Sequence, residues 1–114
     1  MKQLFAACLL ICLFHASFGQ EKQSYKMAII SFYNLENFYD TVNNPVVNDE
    51  EFLPSGPRNY NSKIYWDKVG KLATVLSQIG TDANPDGAAI FGVAEIENDT
   101  VLTDLVHHEL LKKR

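Results

Sequence analysis

Apolar residues in this chain come in blocks, and the spacing inside each block differs. Leu4 to Phe14 is unbroken. Lys26 to Tyr33 (KMAIISFY) is short, apolar and bounded by polar residues, which is the form of a buried strand. Asn34 to Asp40 breaks that pattern and predicts a turn or a single helical turn. From Ser62 to Ile79 the period becomes helical: Tyr65, Val69, Leu72, Ala73, Leu76 and Ile79 recur at steps of three and four. Lys63, Asp67, Lys68 and Lys71 fall largely off that face, Ser62 is placed as an N-cap, and Gly80 as the residue that ends the helix. Gly70 weakens it locally, by about 1 kcal/mol against Ala. Ala88 to Glu95 (AAIFGVAE) is almost wholly apolar, as in a strand covered on both faces. A second helix is predicted after a cap at Asn98 or Asp99, with Val101, Leu102, Leu105, Val106 and Leu110 as its apolar strip. Lys112, Lys113 and Arg114 suit its C-terminal end.

The connections differ in length. Thr41 to Asn61 holds Asn43-Asn44-Pro45, an acidic Asp49-Glu50-Glu51 and Pro54-Ser55-Gly56-Pro57, and predicts a long surface loop. Loops of that length in compact domains are often functional. Asp82 to Gly87 (DANPDG) is a turn. The order strand, helix, strand, helix indicates an α/β or layered α+β domain, with no internal repeat.

The first block is of another kind. Lys2 precedes an apolar run too short to span a bilayer, and Ser17 and Gly19 stand at −3 and −1 of a cleavage site before Gln20. Residues 1–19 are therefore expected to be a secretory signal peptide and 20–25 a flexible leader, which places the mature chain outside the cytoplasm with no stable membrane anchor. Cleavage leaves 95 of the 114 residues, enough for one modest core. It also removes Cys8 and Cys12, the only cysteines, so no disulfide partner and no thiolate metal site remain. Any metal must be held by oxygen or imidazole. Losing Lys2 leaves nine basic against fourteen acidic residues, a net charge of −5, which argues against broad electrostatic binding of nucleic acid. An approach to phosphates through a bound cation is unaffected by that balance.

Candidate chemistry lies at the two strand ends, in Asn34-Leu35-Glu36-Asn37-Phe38 and Gly92-Val93-Ala94-Glu95-Ile96-Glu97-Asn98. Alternation puts Glu95 and Glu97 on one face, and relates Asn34 to Glu36 in the same way if the first strand extends that far. Were the strands neighbours, their ends would gather two to four oxygen-bearing groups able to hold an octahedral Mg²⁺ through one or two carboxylates. Solvated strand ends are the alternative from spacing alone. Asp40, Asp49, Glu50 and Glu51 lack EF-hand spacing and suggest a charged loop. His107 and His108 are adjacent on a helix, about 100° apart, and are expected at the surface. Asn98-Asp99-Thr100 matches a glycosylation sequon but more simply supplies a helix cap.

The segments SFYNLENFYD, NDEEFLPSGPRNY and NPDGAAIFGVAEIEN, with the helix between the last two, resemble the opening of a secreted bacterial endonuclease/exonuclease/phosphatase domain over nearly all of Ala28 to Asn98. The superfamily includes pancreatic-type deoxyribonucleases, abasic-site endonucleases, sphingomyelinases and inositol-polyphosphate phosphatases. The resemblance implies an α/β (α+β) fold forming part of a four-layer sandwich, with two central β-sheets flanked by helices, incomplete in this chain. It makes 26–114 the N-terminal part of the domain. It implies a Mg²⁺-dependent phosphoesterase, with Mn²⁺ an alternative metal, acting on nucleic acid or another phosphoester. Asn34 matches the catalytic asparagine that helps hold metal and phosphate, and Glu95 the glutamate that ligates the metal. Glu36 falls where some members carry an acidic ligand. Many relatives have Gln before that glutamate, where this chain has Ala94. The family's general-base Asp, its His pair and a further Asn come from later motifs that nothing here matches. The chain is thus expected to be an inactive fragment, poorly soluble alone because sheet edges and apolar faces lie open. A secreted non-catalytic module contacting partners through its acidic loop, or a degenerate remnant of the fold, is the competing expectation.

Overall fold

The computed structural model of the protein describes residues 24–113; the expected signal peptide, most of the leader and Arg114 lie outside the described residues. Strand β1 (Ile29–Phe38) is followed by the loop region with a short 3₁₀ turn at Glu50–Phe52, then helix α1 (Ser62–Gln78), strand β2 (Ala88–Ile96) and helix α2 (Asp99–Val106). The two strands pair in parallel as a two-stranded sheet. The order is the expected one, and the fold is α+β. Among the described residues no helix is long and apolar enough to cross a membrane.

The first strand runs further than its apolar block. Asn34 to Phe38 is not a turn: it continues β1, but with Glu36 and Asn37 at φ 53° and 56°, in the left-handed region. Register slips there, since Asn34 faces Ala94 while Phe38 faces Ile96, so β1 uses four steps where β2 uses two. The extra residues are a bulge, which keeps ladder pairing beyond the break.

Helix α1 takes its N-cap from Asn61, not Ser62: the Asn61 carboxamide oxygen accepts from the Lys63 and Ile64 N–H groups at 3.0 and 3.3 Å. Ile79 is extended and Gly80 turns to φ 80°, ending the helix as expected. The end is packed tightly, because a Cβ on Gly80 would stand 2.7 Å from the Ile29 side chain. Tyr65, Val69, Leu72, Ala73 and Leu76 form the buried face and join Leu35, Phe38, Tyr60, Val101 and Leu105 in one core. Lys68 does not sit off that face: it is half-buried, with its ammonium on the carbonyls of Glu36 and Asn37.

Helix α2 is shorter than its apolar strip suggested. Asn98 caps it, Val101 and Leu105 are buried, but it ends at Val106 with His107 as C-cap, and Val106 and Leu110 are exposed. Lys112 and Lys113 therefore lie in turns beyond it.

Both helices pack on one side of the sheet, so β2 is not covered on both faces. Phe91, Val93 and Ile96 reach the core, whereas Ile30, Phe32 and Ile90 are 74, 70 and 58 % exposed. On that open face the Phe32 ring lies across Gly92, where a Cβ would meet it at 3.0 Å. Asn34 follows Ile30 and Phe32 along the same exposed set.

The 41–61 segment is less of a surface loop than its composition suggested. Tyr60 and Asp49 are buried, Phe52 stacks on Tyr39 at 4.3 Å between ring centres, and Arg58 lies over Phe52 while pairing with Glu51. Asn61→Ala is expected to lower stability by about 1 kcal/mol, measured by urea unfolding. A larger loss from Ser62→Ala than from Asn61→Ala would contradict this cap assignment.

Candidate functional site

The C-terminal ends of β1 and β2 bring Asn34 and Glu95 into contact. Asn34 Nδ2 donates to Glu95 Oε1 at 2.7 Å, and the Asn37 backbone N–H donates to Glu95 Oε2 at 3.1 Å. Asn34 Oδ1 in turn accepts from the Glu36 N–H at 2.8 Å. The register alone would not produce this pair, since Asn34 lies opposite Ala94. Glu95 reaches Asn34 because its own backbone is left-handed, at φ 58°, matching the break in β1. Both strands thus deviate at the same level, and the deviation aims the side chains.

The same turn separates Glu95 from Glu97. Regular alternation puts the two on one face; the structure corrects this, leaving Glu95 exposed beside Asn34 and Glu97 half-buried on the loop side. There the Glu97 Oε2 accepts from the Asp40 N–H at 3.0 Å, while Asp40 accepts from Val42 N–H at 2.7 Å and from Asn98 Nδ2 at 3.0 Å. Asp49, 2 % exposed, accepts from the Asn44 N–H at 2.7 Å. Asp49 Oδ1 and Glu97 Oε1 are buried without a hydrogen-bond partner. Burial pushes the Glu97 carboxyl above the ordinary range; the Asp40 N–H bond opposes this, and the charges of Asp40 and Asp49 add to it. The Tyr60 phenol is likewise pushed up, to about 12, by burial and then by Asp40.

Glu36 does not share a simple face with Asn34, because the backbone turns left-handed at Glu36 itself. Its carboxylate is exposed and makes no hydrogen bond to Asn34 or Glu95, and its charge acts on Lys68. The Lys68 ammonium donates to the carbonyls of Glu36 and Asn37 at 2.6 and 3.0 Å. Burial lowers its pKa, with Glu36 and Glu95 opposing. This residue was missed in the sequence, although a signal was present. Lys68 stands three after Tyr65 and four before Leu72, on the inward edge of the helix. A cleft of about 220 Å³ opens beside the turn, lined in part by Asn34, Glu36, Lys68 and Lys71.

His107 is exposed and His108 half-buried against α1 near Gly70, and neither approaches the strand ends. Among the described residues no three His, Cys, Asp or Glu side chains converge as a metal-holding group. What the turn offers is a smaller donor set: Glu95 with one N–H on each oxygen and lone pairs to spare, Asn34 Oδ1, and Glu36 nearby. All are oxygen donors, in a number suited to a hard cation that keeps most of its water.

A family model described as Endonuclease/Exonuclease/phosphatase family matches residues 29–114, most of the chain and all of the site. No curated protein and no solved structure matches.

Since burial disfavours the charged form of Glu97, Glu97→Gln is expected to stabilise the fold near pH 7. A carboxyl with a raised folded pKa weakens the fold above that pKa and ceases to do so as pH falls through it. The advantage of the variant should therefore shrink on acidification, read by urea unfolding across pH 4–7. An advantage independent of pH would contradict the burial of the charged form.

Proposed function

The chain belongs to the endonuclease/exonuclease/phosphatase family, a superfamily of nuclease- and phosphatase-type phosphoesterases that generally use divalent metals, and on that premise we propose that it supplies the cation- and phosphate-binding end of an exported phosphodiester hydrolase. The observation that carries the reading is the 2.7 Å contact between Asn34 and Glu95 at the ends of adjacent parallel strands. It supports a site built from two sequence-distant residues that the family resemblance pairs. Mg²⁺ is the metal best suited to these donors, with Mn²⁺ an alternative. A cation bound there supplies Lewis-acid stabilisation of charge on phosphoryl oxygens.

The residues divide the remaining work. Glu95 would hold the cation. One Asn34 N–H fixes the Glu95 carboxylate, and the other is free to donate to a phosphate oxygen. Glu36 would add an acidic ligand from the turn itself. The net charge of −5 left after removal of the signal peptide fits a protein that meets polyanions through a cation rather than a basic surface.

The described segment is the N-terminal part of a larger domain in this reading. Support comes from Ile30, Phe32 and Ile90 on the open sheet face, and from an apolar cavity of about 700 Å³ lined in part by Met27, Phe91, Val93, Leu102 and Leu111. Apolar surface of this kind on a small domain calls for a further layer. The base that activates water would belong to that remainder, so hydrolysis by this segment alone is expected to be negligible. The Lys2-to-Gly19 pattern supports export with cleavage before Gln20.

In the complete enzyme, Glu95→Ala should lower metal-dependent hydrolysis by orders of magnitude. Asn34→Ala should cost about 10²-fold in kcat, typical for one preorganised donor. Steady-state kinetics on a phosphodiester substrate, with circular dichroism as the fold check, tests both. Near-normal hydrolysis by Glu95→Ala would sink the assignment and favour a non-catalytic module.

A further inference from the structure

We propose that Lys68 is the positioning residue of this site, clamping the left-handed Glu36–Asn37 turn whose N–H groups hold the Asn34 and Glu95 side chains; the proposal rests on the cation-site reading above. The turn is gripped on two sides. Its N–H groups serve the site: Glu36 N–H goes to Asn34 Oδ1 and Asn37 N–H to Glu95 Oε2, at 2.8 and 3.1 Å. Its carbonyls both go to the Lys68 ammonium, at 2.6 and 3.0 Å. Two successive non-glycine residues at φ 53° and 56° are a strained backbone that persists only when its surroundings hold it. The Asn37 carbonyl also accepts from the Tyr39 N–H at 3.1 Å, two residues along the chain, whereas Lys68 reaches both carbonyls from α1, thirty-one and thirty-two residues away.

Other features agree. Lys71, one turn along the same helix, pairs with Asp67, whereas Lys68 enters none of the ion pairs among the described residues. Its stem carries the ammonium past the buried Phe38 ring, 5.8 Å from the ring centre, so reach and direction are set by the core. The Asn37 N–H serves Glu95 while its carbonyl serves Lys68, so one peptide segment links the helix to the site.

The sign of one measurement separates this role from mere charge. Lys68 lies within the field of Glu36 and Glu95, so removing its charge alone would tighten binding of a divalent cation. Removing a clamp would weaken it. Mn²⁺ binding to the intact protein, followed by the loss of the free-ion electron paramagnetic resonance signal, is compared for wild type, Lys68→Met and Lys68→Arg. Met keeps the aliphatic stem over Phe38, and Arg keeps a cationic donor. Weakening by about tenfold or more is expected for Lys68→Met, the scale of a lost support behind a metal ligand, with Lys68→Arg restoring most of it. Equal or tighter binding by Lys68→Met, or weak binding that Lys68→Arg does not rescue, overturns the role of Lys68 alone. Absence of Mn²⁺ binding by wild type overturns the cation-site reading and this proposal with it. Should Lys68→Met fail to fold, the Asn37→Gly background provides the second arm. Glycine adopts the left-handed turn without strain, so Lys68→Met is expected to lose less affinity there; loss as large as that caused by Glu95→Ala would overturn the proposal.

Discussion

A carboxylate that accepts hydrogen bonds from a neighbouring strand organises everything at the working end of this fold. Glu95 takes one N–H from the Asn34 side chain and one from the Asn37 backbone, and both require left-handed residues in the strands that present them. Each such residue costs about 1–2 kcal/mol, so the three non-glycine residues at this level cost roughly 3–6 kcal/mol together. Charged hydrogen bonds contribute about 1.5–3 kcal/mol each when shielded and less when exposed, as here. Two of them do not clearly offset the strain, which is why the Lys68 contacts behind the turn matter. The site is a local compromise held from the helix side.

The sheet explains where that compromise sits. Parallel pairing places both strand ends at one edge, with β1 and β2 sending Asn34 and Glu95 to the open side and Leu35, Phe38 and Ile96 to the core. A single left-handed residue at Glu95 then divides the acidic groups into two sets. Glu95 and Glu36 remain in water, whereas Glu97, Asp40 and Asp49 tie the loop after β1 to the cap of α2. The first set is built for a ligand and the second for holding chain segments together. Because Glu95 ends β2's exposed side and Glu97 follows it by two residues, the position of the 41–61 loop is coupled to the geometry of the site.

Much of this was legible in the sequence, for identifiable reasons. Continuous apolar runs marked both strands, and three-four spacing marked the face of α1, because burial enforces those periods. Asn34, Glu36 and Glu95, singled out from the strand ends, lie at one end of the sheet. The bulge was not legible: Glu36 and Glu95 carry ordinary side chains, and only Asn37 is of a type that favours left-handed backbone. Alternation therefore misplaced Glu97 beside Glu95. Lys68 was hidden because a charged residue on a helix is assumed to face solvent, even at a spacing that turns it inward. Asp49 was hidden by its acidic neighbours Glu50 and Glu51, since burial of one among three cannot be read from composition.

The most direct test of the account is an anomalous difference map from crystals of the intact protein grown with Mn²⁺. The expected result is a peak at coordinating distance from a Glu95 carboxylate oxygen, on the side where Asn34 and Glu36 lie. A fully occupied peak among Asp40, Asp49 and Glu97, with none at Glu95, would contradict it.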